Sequence, residues 1–130
     1  MDAARRMVAA ASKAGKTYAV MQNRRYTKSI RHVAALVAAG SIGTVTSIDS
    51  DLSVGAHFGG FRAEMEHPLL LDMAIHTFDQ ARCISRADPA SVLAVEWNPA
   101  DSWYTGNSSA VADCGDKRQY LMGWSRSRCR

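Results

Sequence analysis

A chain of 130 residues is the length of one domain, and 47% apolar with 22% charged residues suits a packed core with a wet surface. No apolar run approaches the roughly 20 residues of a membrane-crossing helix, and Met7 to Ala11 is shorter than the about 7–15 apolar residues of a secretory leader, so the sequence reads as cytoplasmic. The net charge of +4 is local: Lys117, Arg118, Arg126, Arg128 and Arg130 sit in an acid-free end, and removing those five from the 16 Lys/Arg leaves 11 against 12 Asp/Glu.

In chain order, Asp2 is placed to cap a helix running to about Ala14, with Gly15 as its stop and Met7, Val8 and Ala11 on one face. Thr17 to Met21 is short, apolar and β-prone, which predicts a buried strand. Gln22-Asn23-Arg24-Arg25-Tyr26 breaks that pattern at the strand's carboxyl end, where α/β folds collect ligands. Lys28 to Ala39 predicts a second helix, since Ile30, Val33, Ala34, Val37 and Ala38 recur at helical spacing and Gly40 follows. Thr44 to Val54 predicts a strand with one wetter face, and Gly55 to Arg62 a loop. A third helix is expected over Leu69 to Ile84 behind Pro68. Asp88-Pro89 is a turn, Ser91 to Trp97 a strand, Asn98 to Asn107 a polar loop, and Ser109 to Ala112 the start of another strand; beyond Cys114 no period continues.

Chemistry concentrates on the third helix. Asp72 and His76 are four residues apart, and His76 and Asp79 three, which places them near one helical face. A carboxylate beside an imidazole favours the imidazolium and orients the ring, and a histidine titrating near neutrality can move a proton to or from a hydroxyl. A surface ion pair is the bland alternative. Against it, Leu69, Leu70, Leu71, Met73, Ile75 and Phe78 make this helix apolar nearly all round, so its polar groups need a reason to be there. Glu64, Glu66, His67, Asp72 and His76 are metal-ligating types without a compact zinc spacing, so no metal site is expected. Cys83, Cys114 and Cys129 form neither a CxxC pair nor a disulfide framework and read as reduced thiols.

Arg24-Arg25-Tyr26, Ala39-Gly40-Ser41-Ile42-Gly43-Thr44-Val45, Phe61-Arg62 and Leu71-Asp72-Met73-Ala74-Ile75-His76-Thr77-Phe78-Asp79 follow one another as they do in the Gfo/Idh/MocA oxidoreductases. The chain resembles that family from residue 2 to about 112. The resemblance implies an α/β (α+β) fold with an open mixed, mainly antiparallel sheet and helices on one face, preceded by the last helix and strand of a truncated Rossmann domain. It divides the chain into 1–23 (Rossmann remnant), 24–116 (partial substrate-binding and oligomerisation domain) and 117–130 (a basic tail, non-native or disordered).

The resemblance further implies oxidation or reduction of a sugar, inositol or related polyol with NAD or NADP. His76 would transfer the proton, Asp72 would support it, and Asn23, Arg24 and Arg62 would contact substrate. Arg25 would be structural, and the sheet would pair subunits into a homo-oligomer. The departures carry equal weight. The G-x-G-x-x-G phosphate loop is absent, the family's Glu-Lys-Pro element lies before the first residue, and Glu66-His67-Pro68 stands where many relatives have glycines. The chain alone is therefore expected to bind no dinucleotide and to be inactive. The abrupt basic end reads as a shifted frame or a cloning junction. Two other readings compete: a non-catalytic domain for sheet-mediated association, and, more distantly, a polyanion binder acting through its basic tail. No nucleic-acid or membrane partner is expected.

Overall fold

The computed structural model describes residues 2–55, 57–115 and 124–125. Among the described residues the fold combines three α-helices with short strands. Helix α1 spans Asp2–Lys13, α2 spans Lys28–Ala38 and α3 spans Ile75–Ser85. Strand β1 is Ser50–Asp51, β2 is Ser91–Trp97, β3 is Ser109–Gly115 and β4 is Trp124–Ser125.

Glycine ends the first two helices by the same device. Gly15 and Gly40 adopt φ of 62° and 69°. Lys16 N–H reaches back to the Ala11 carbonyl and Gly15 N–H to that of Ser12, while Ser41 N–H reaches Leu36 and Gly40 N–H reaches Val37. This is the Schellman pattern, which satisfies the last carbonyls and needs a left-handed residue that glycine supplies without steric cost. Helix α3 ends instead on Arg86 at φ 55°, a left-handed residue that carries a side chain.

The third helix begins differently from its sequence expectation. Leu69–Met73 form a π-helical turn, closed by a 2.7 Å bond from Ala74 N–H to the Leu69 carbonyl. The Ala74 carbonyl then accepts from both Thr77 and Phe78, and the regular helix starts. A π turn holds one residue more than an α turn, so the faces before and after it are out of phase.

The core lies along this stretch. Leu69, Ala74 and Ala81 are buried from the helical side, and Ala110, Ala112 and Cys114 from β3. Helix α3 packs against α2 and against a 3₁₀ turn at Asn23–Tyr26, and the 69–73 turn reaches β3. Ala74, Ala110 and Ala112 are fully shielded, and such small side chains let the elements approach closely. On α2, Ile30, Ala34 and Val37 form the half-buried stripe that the helical period requires.

Strands β2 and β3 pair antiparallel from Ser91↔Gly115 to Trp97↔Ser109. The β2 boundaries match the sequence expectation, and β3 continues past Ala112 to Gly115. The only other ladder among the described residues is the parallel pairing of β1 with β4. The expected α+β class with mainly antiparallel pairing is therefore what the fold shows. Loop 98–108 is fastened to residues 63–67: Asn107 N–H donates to the Glu66 carbonyl, and Thr105 Oγ1 to that of Ala63. Gly106 permits this contact, since a Cβ there would stand 2.5 Å from the Glu66 carbonyl oxygen.

Two strand expectations fail. Thr17 to Met21 joins no ladder among the described residues, with Val20 71% and Met21 82% exposed. A β-prone run forms a strand only where a neighbour accepts its hydrogen bonds, and no described segment offers one here. Of Thr44 to Val54, only a bridge at Ser47 and the two residues of β1 pair. The aperiodic end nevertheless supplies β4, because a backbone ladder needs no side-chain pattern. The remainder of the basic tail, Cys129 included, lies outside the described residues.

Candidate active site

The helical stretch 69–85 presents two polar faces, and each holds part of the predicted constellation. On one face, Asp72 accepts two hydrogen bonds from Arg62, at 2.6 Å from Nε and 3.3 Å from Nη2. The pair is partly buried, with the Asp72 side chain 19% exposed. The Arg62 guanidinium also lies over the rings of Phe61 (4.6 Å) and Phe58 (5.5 Å). Bonding to Asp72 raises its pKa above the ordinary arginine value, so it stays charged. A small cleft lined by Phe58, Arg62, Leu69, Asp72, Tyr104 and Ser108 opens beside the pair.

On the other face, His76 and Asp79 point toward residues 22–26. His76 Nδ1 lies 3.1 Å from Gln22 Oε1. Asp79, buried, accepts a bidentate pair from Arg25, with Nε at 2.8 Å. This raises the Arg25 pKa through the hydrogen bond first and the carboxylate charge second. A second, wider groove follows, lined by Gln22, Arg25, Tyr26, Ile75, Phe78 and Asp79.

The structure thus separates a pair that the sequence joins. Among the described residues Asp72 and His76 do not bond each other: the carboxylate is taken by Arg62 and the ring nitrogen by Gln22. The π turn is the physical reason, because it ends between them and breaks the four-residue alignment of a regular helix. Arg62, predicted as a substrate contact, is a partner of Asp72. Asn23 and Arg24 sit on the 3₁₀ turn with no hydrogen bond or ion pair from their side chains among the described residues, and their neighbours Gln22 and Arg25 line the groove instead. Arg25, expected to be structural at the domain junction, is bonded to Asp79. Gln22 was missed as a site residue; its only signal in the sequence is a polar group ending an apolar run.

Other polar groups stand apart. His67 Nδ1 lies 2.8 Å from Glu96 Oε2, a contact between β2 and the turn before Leu69 that is out of line for a hydrogen bond. Burial, then the Asp113 charge, push the Cys114 thiol up, which keeps it protonated and inert. Among the described residues no three His, Cys, Asp or Glu side chains gather as a metal site, and no helix is long and apolar enough to cross a membrane. No glycine turn of the phosphate-binding kind exists in the sequence, and the parallel pairing among the described residues is two residues long.

Comparison with known proteins places this geometry. Residues 30–115 match the model of the GFO/IDH/MocA C-terminal domain. A Sinorhizobium fredii protein, y4oX, is 30% identical over 115 residues, covering 85% of this chain and 32% of that protein. Among solved structures, the fold resembles an oxidoreductase from Agrobacterium radiobacter in complex with NAD+, L-tartaric acid and magnesium (TM-score 0.76, 24% identity, 93% of this chain and 36% of that one). It also resembles the aldose-aldose oxidoreductase of Caulobacter crescentus complexed with glycerol (0.78, 21%, 91% and 37%) and the myo-inositol 2-dehydrogenase of Lactobacillus plantarum (0.72, 20%, 88% and 36%). The chain spans about a third of the length of these relatives. The match to the family model, across about two thirds of the chain, makes the conclusion plain: this chain belongs to the Gfo/Idh/MocA oxidoreductase family and carries its C-terminal domain.

Proposed function

We propose that this chain is the substrate-side portion of an NAD(P)-dependent oxidoreductase acting on a sugar, inositol or related polyol, with His76 as the group that takes the hydroxyl proton. The observation that carries the reading is the placement of His76. It stands on the first turn of α3, held at Nδ1, with no protein partner at Nε2 among the described residues. A histidine so placed is able to accept a proton from a bound hydroxyl. The names of the relatives, an inositol dehydrogenase and an aldose oxidoreductase among them, point to the same substrate class.

In this reading Asp72 acts through Arg62. Their bidentate pair fixes a neutral, hydrogen-bonded wall beside the small cleft rather than a counter-charge on the imidazole. Asn23 and Arg24, with unengaged side chains, are substrate contacts from the opposite side, and Arg62 touches substrate through whichever N–H groups the carboxylate leaves free. Residues 1–23 are the end of a nucleotide-binding domain and 24–116 the substrate domain. The dinucleotide belongs to the portion of the relatives that this chain does not match, so the chain by itself binds none and is inactive. Its compartment is the cytoplasm.

The test is a chimera in which this chain replaces the matching segment of the Lactobacillus plantarum enzyme. NADH formation from myo-inositol is expected, with His76→Ala lowering kcat by about 10²–10⁴-fold, the usual worth of a general base. A His76→Ala chimera as active as its parent would remove His76 from the mechanism. Titrating NAD+ and NADP+ into the chain alone should give no saturation, and clear micromolar binding would overturn the division of labour.

A second reading, association through the sheet, is favoured by β2. Val92, Leu93 and Val95 are 60%, 70% and 60% exposed, and Val111 on β3 is 40% exposed. An apolar strand open on both faces gains from a second copy. Light scattering should report a dimer or larger species, and a strictly monomeric folded chain would count against it.

A further inference from the structure

We propose that Gln22 is the positioning residue for His76, fixing the ring with its proton on Nδ1 and its lone pair on Nε2. The proton-transfer purpose of this arrangement rests on the function proposed above, whereas the tautomer itself does not.

The argument begins with what the two carboxylates on this helix do. Asp72 is the group expected to orient the imidazole and Asp79 lies at helical spacing from it, and both are engaged elsewhere, by Arg62 and Arg25. The side chain at the ring is the Gln22 amide, whose Oε1 lies 3.1 Å from Nδ1. A carbonyl oxygen has no hydrogen to give, so the contact is a hydrogen bond only if Nδ1 carries the proton. A neutral ring then holds its lone pair on Nε2, the nitrogen without a protein partner among the described residues.

Gln22 is not placed by its own contacts alone. Gln22 meets His76, and Arg25, three residues further, meets Asp79, three residues further along α3. The two ties have the same 54-residue separation, so residues 22–25 lie alongside about one turn of the helix in fixed register. The Arg25–Asp79 pair, bidentate and largely shielded, is the stronger of the two and anchors the weaker. A neutral amide in this position orients the ring without bringing a charge to it, unlike the carboxylate of a His–Asp couple.

The test reads the tautomer directly in the whole 130-residue chain. Nitrogen-15 correlation spectra of the histidine rings, recorded above their titration, distinguish Nδ1–H from Nε2–H, and a His76→Gln sample identifies the His76 signals. The unaltered chain should show Nδ1–H as the main form. Gln22→Met, of similar length but without an acceptor, should shift His76 toward Nε2–H, and Gln22→Glu, which keeps an oxygen there, should not. A main Nε2–H form in the unaltered chain overturns the proposal, since the amide would then present its NH2 to the ring. An unshifted tautomer in Gln22→Met also overturns it. Gln22→Ala replaces the methionine variant if that one does not fold. None of these readouts depends on turnover, so an inactive His76 chimera would defeat the proposed function and leave this result standing.

Discussion

Residues 2–21 and residues 69–115 are built by similar local rules and end in different states. Helix α1 has an acid in its first turn, a base in its last and a glycine stop, yet it buries no residue. The stretch from Leu69 to β3 has a broken first turn and a helix ending on a strained arginine, yet it holds the core. Caps and periodicity shape a helix, but burial against other elements supplies most of its stability. The apolar side chains of the first region, Met7, Val8, Val20 and Met21, all lie 49% or more exposed, so they have formed a face without yet using it.

The sharpest way to break this comparison is Leu69→Ala. Leu69 is 4% exposed at the junction of helix and sheet, and truncation should cost about 2–5 kcal/mol in a denaturant melt. A loss under about 1 kcal/mol would mean that the core lies elsewhere. Arg86→Gly is the next step down. It removes the left-handed side chain at the end of α3 and should add about 1 kcal/mol, read as a raised Tm. The smallest effects belong to the first region. Val8→Ser and Met21→Ser should each fall within about 0.5 kcal/mol of the parent. A larger drop in either, especially one that grows with protein concentration, would show that this face is covered in solution.

How far the sequence was legible follows from the range of the forces involved. The ends of α1 and α2 could be read because Gly15 and Gly40 act on their own helices. The limits of β2 could be read from alternation bounded by turn residues. Thr17 to Met21 and most of Thr44 to Val54 could not, because pairing depends on a strand elsewhere in the chain. The same divide runs through the site. Asp72 and His76 could be picked out as candidates, and so could Arg62, ten residues before Asp72. The Gln22 contact was not, since it spans 54 residues and rests on a packing register that no local pattern encodes.

The π turn at Leu69–Met73 has a consequence for bookkeeping by position. Such a turn is what a single inserted residue leaves in a helix, and it resets the phase of everything after it. Asp72 and His76, adjacent in a motif, therefore belong to separate mechanical joints: one fastens the helix to residue 62, the other to residue 22. With no partner in common, their substitutions should behave as independent lesions. Deleting one residue between them would restore a regular helix and turn one joint away from its mate.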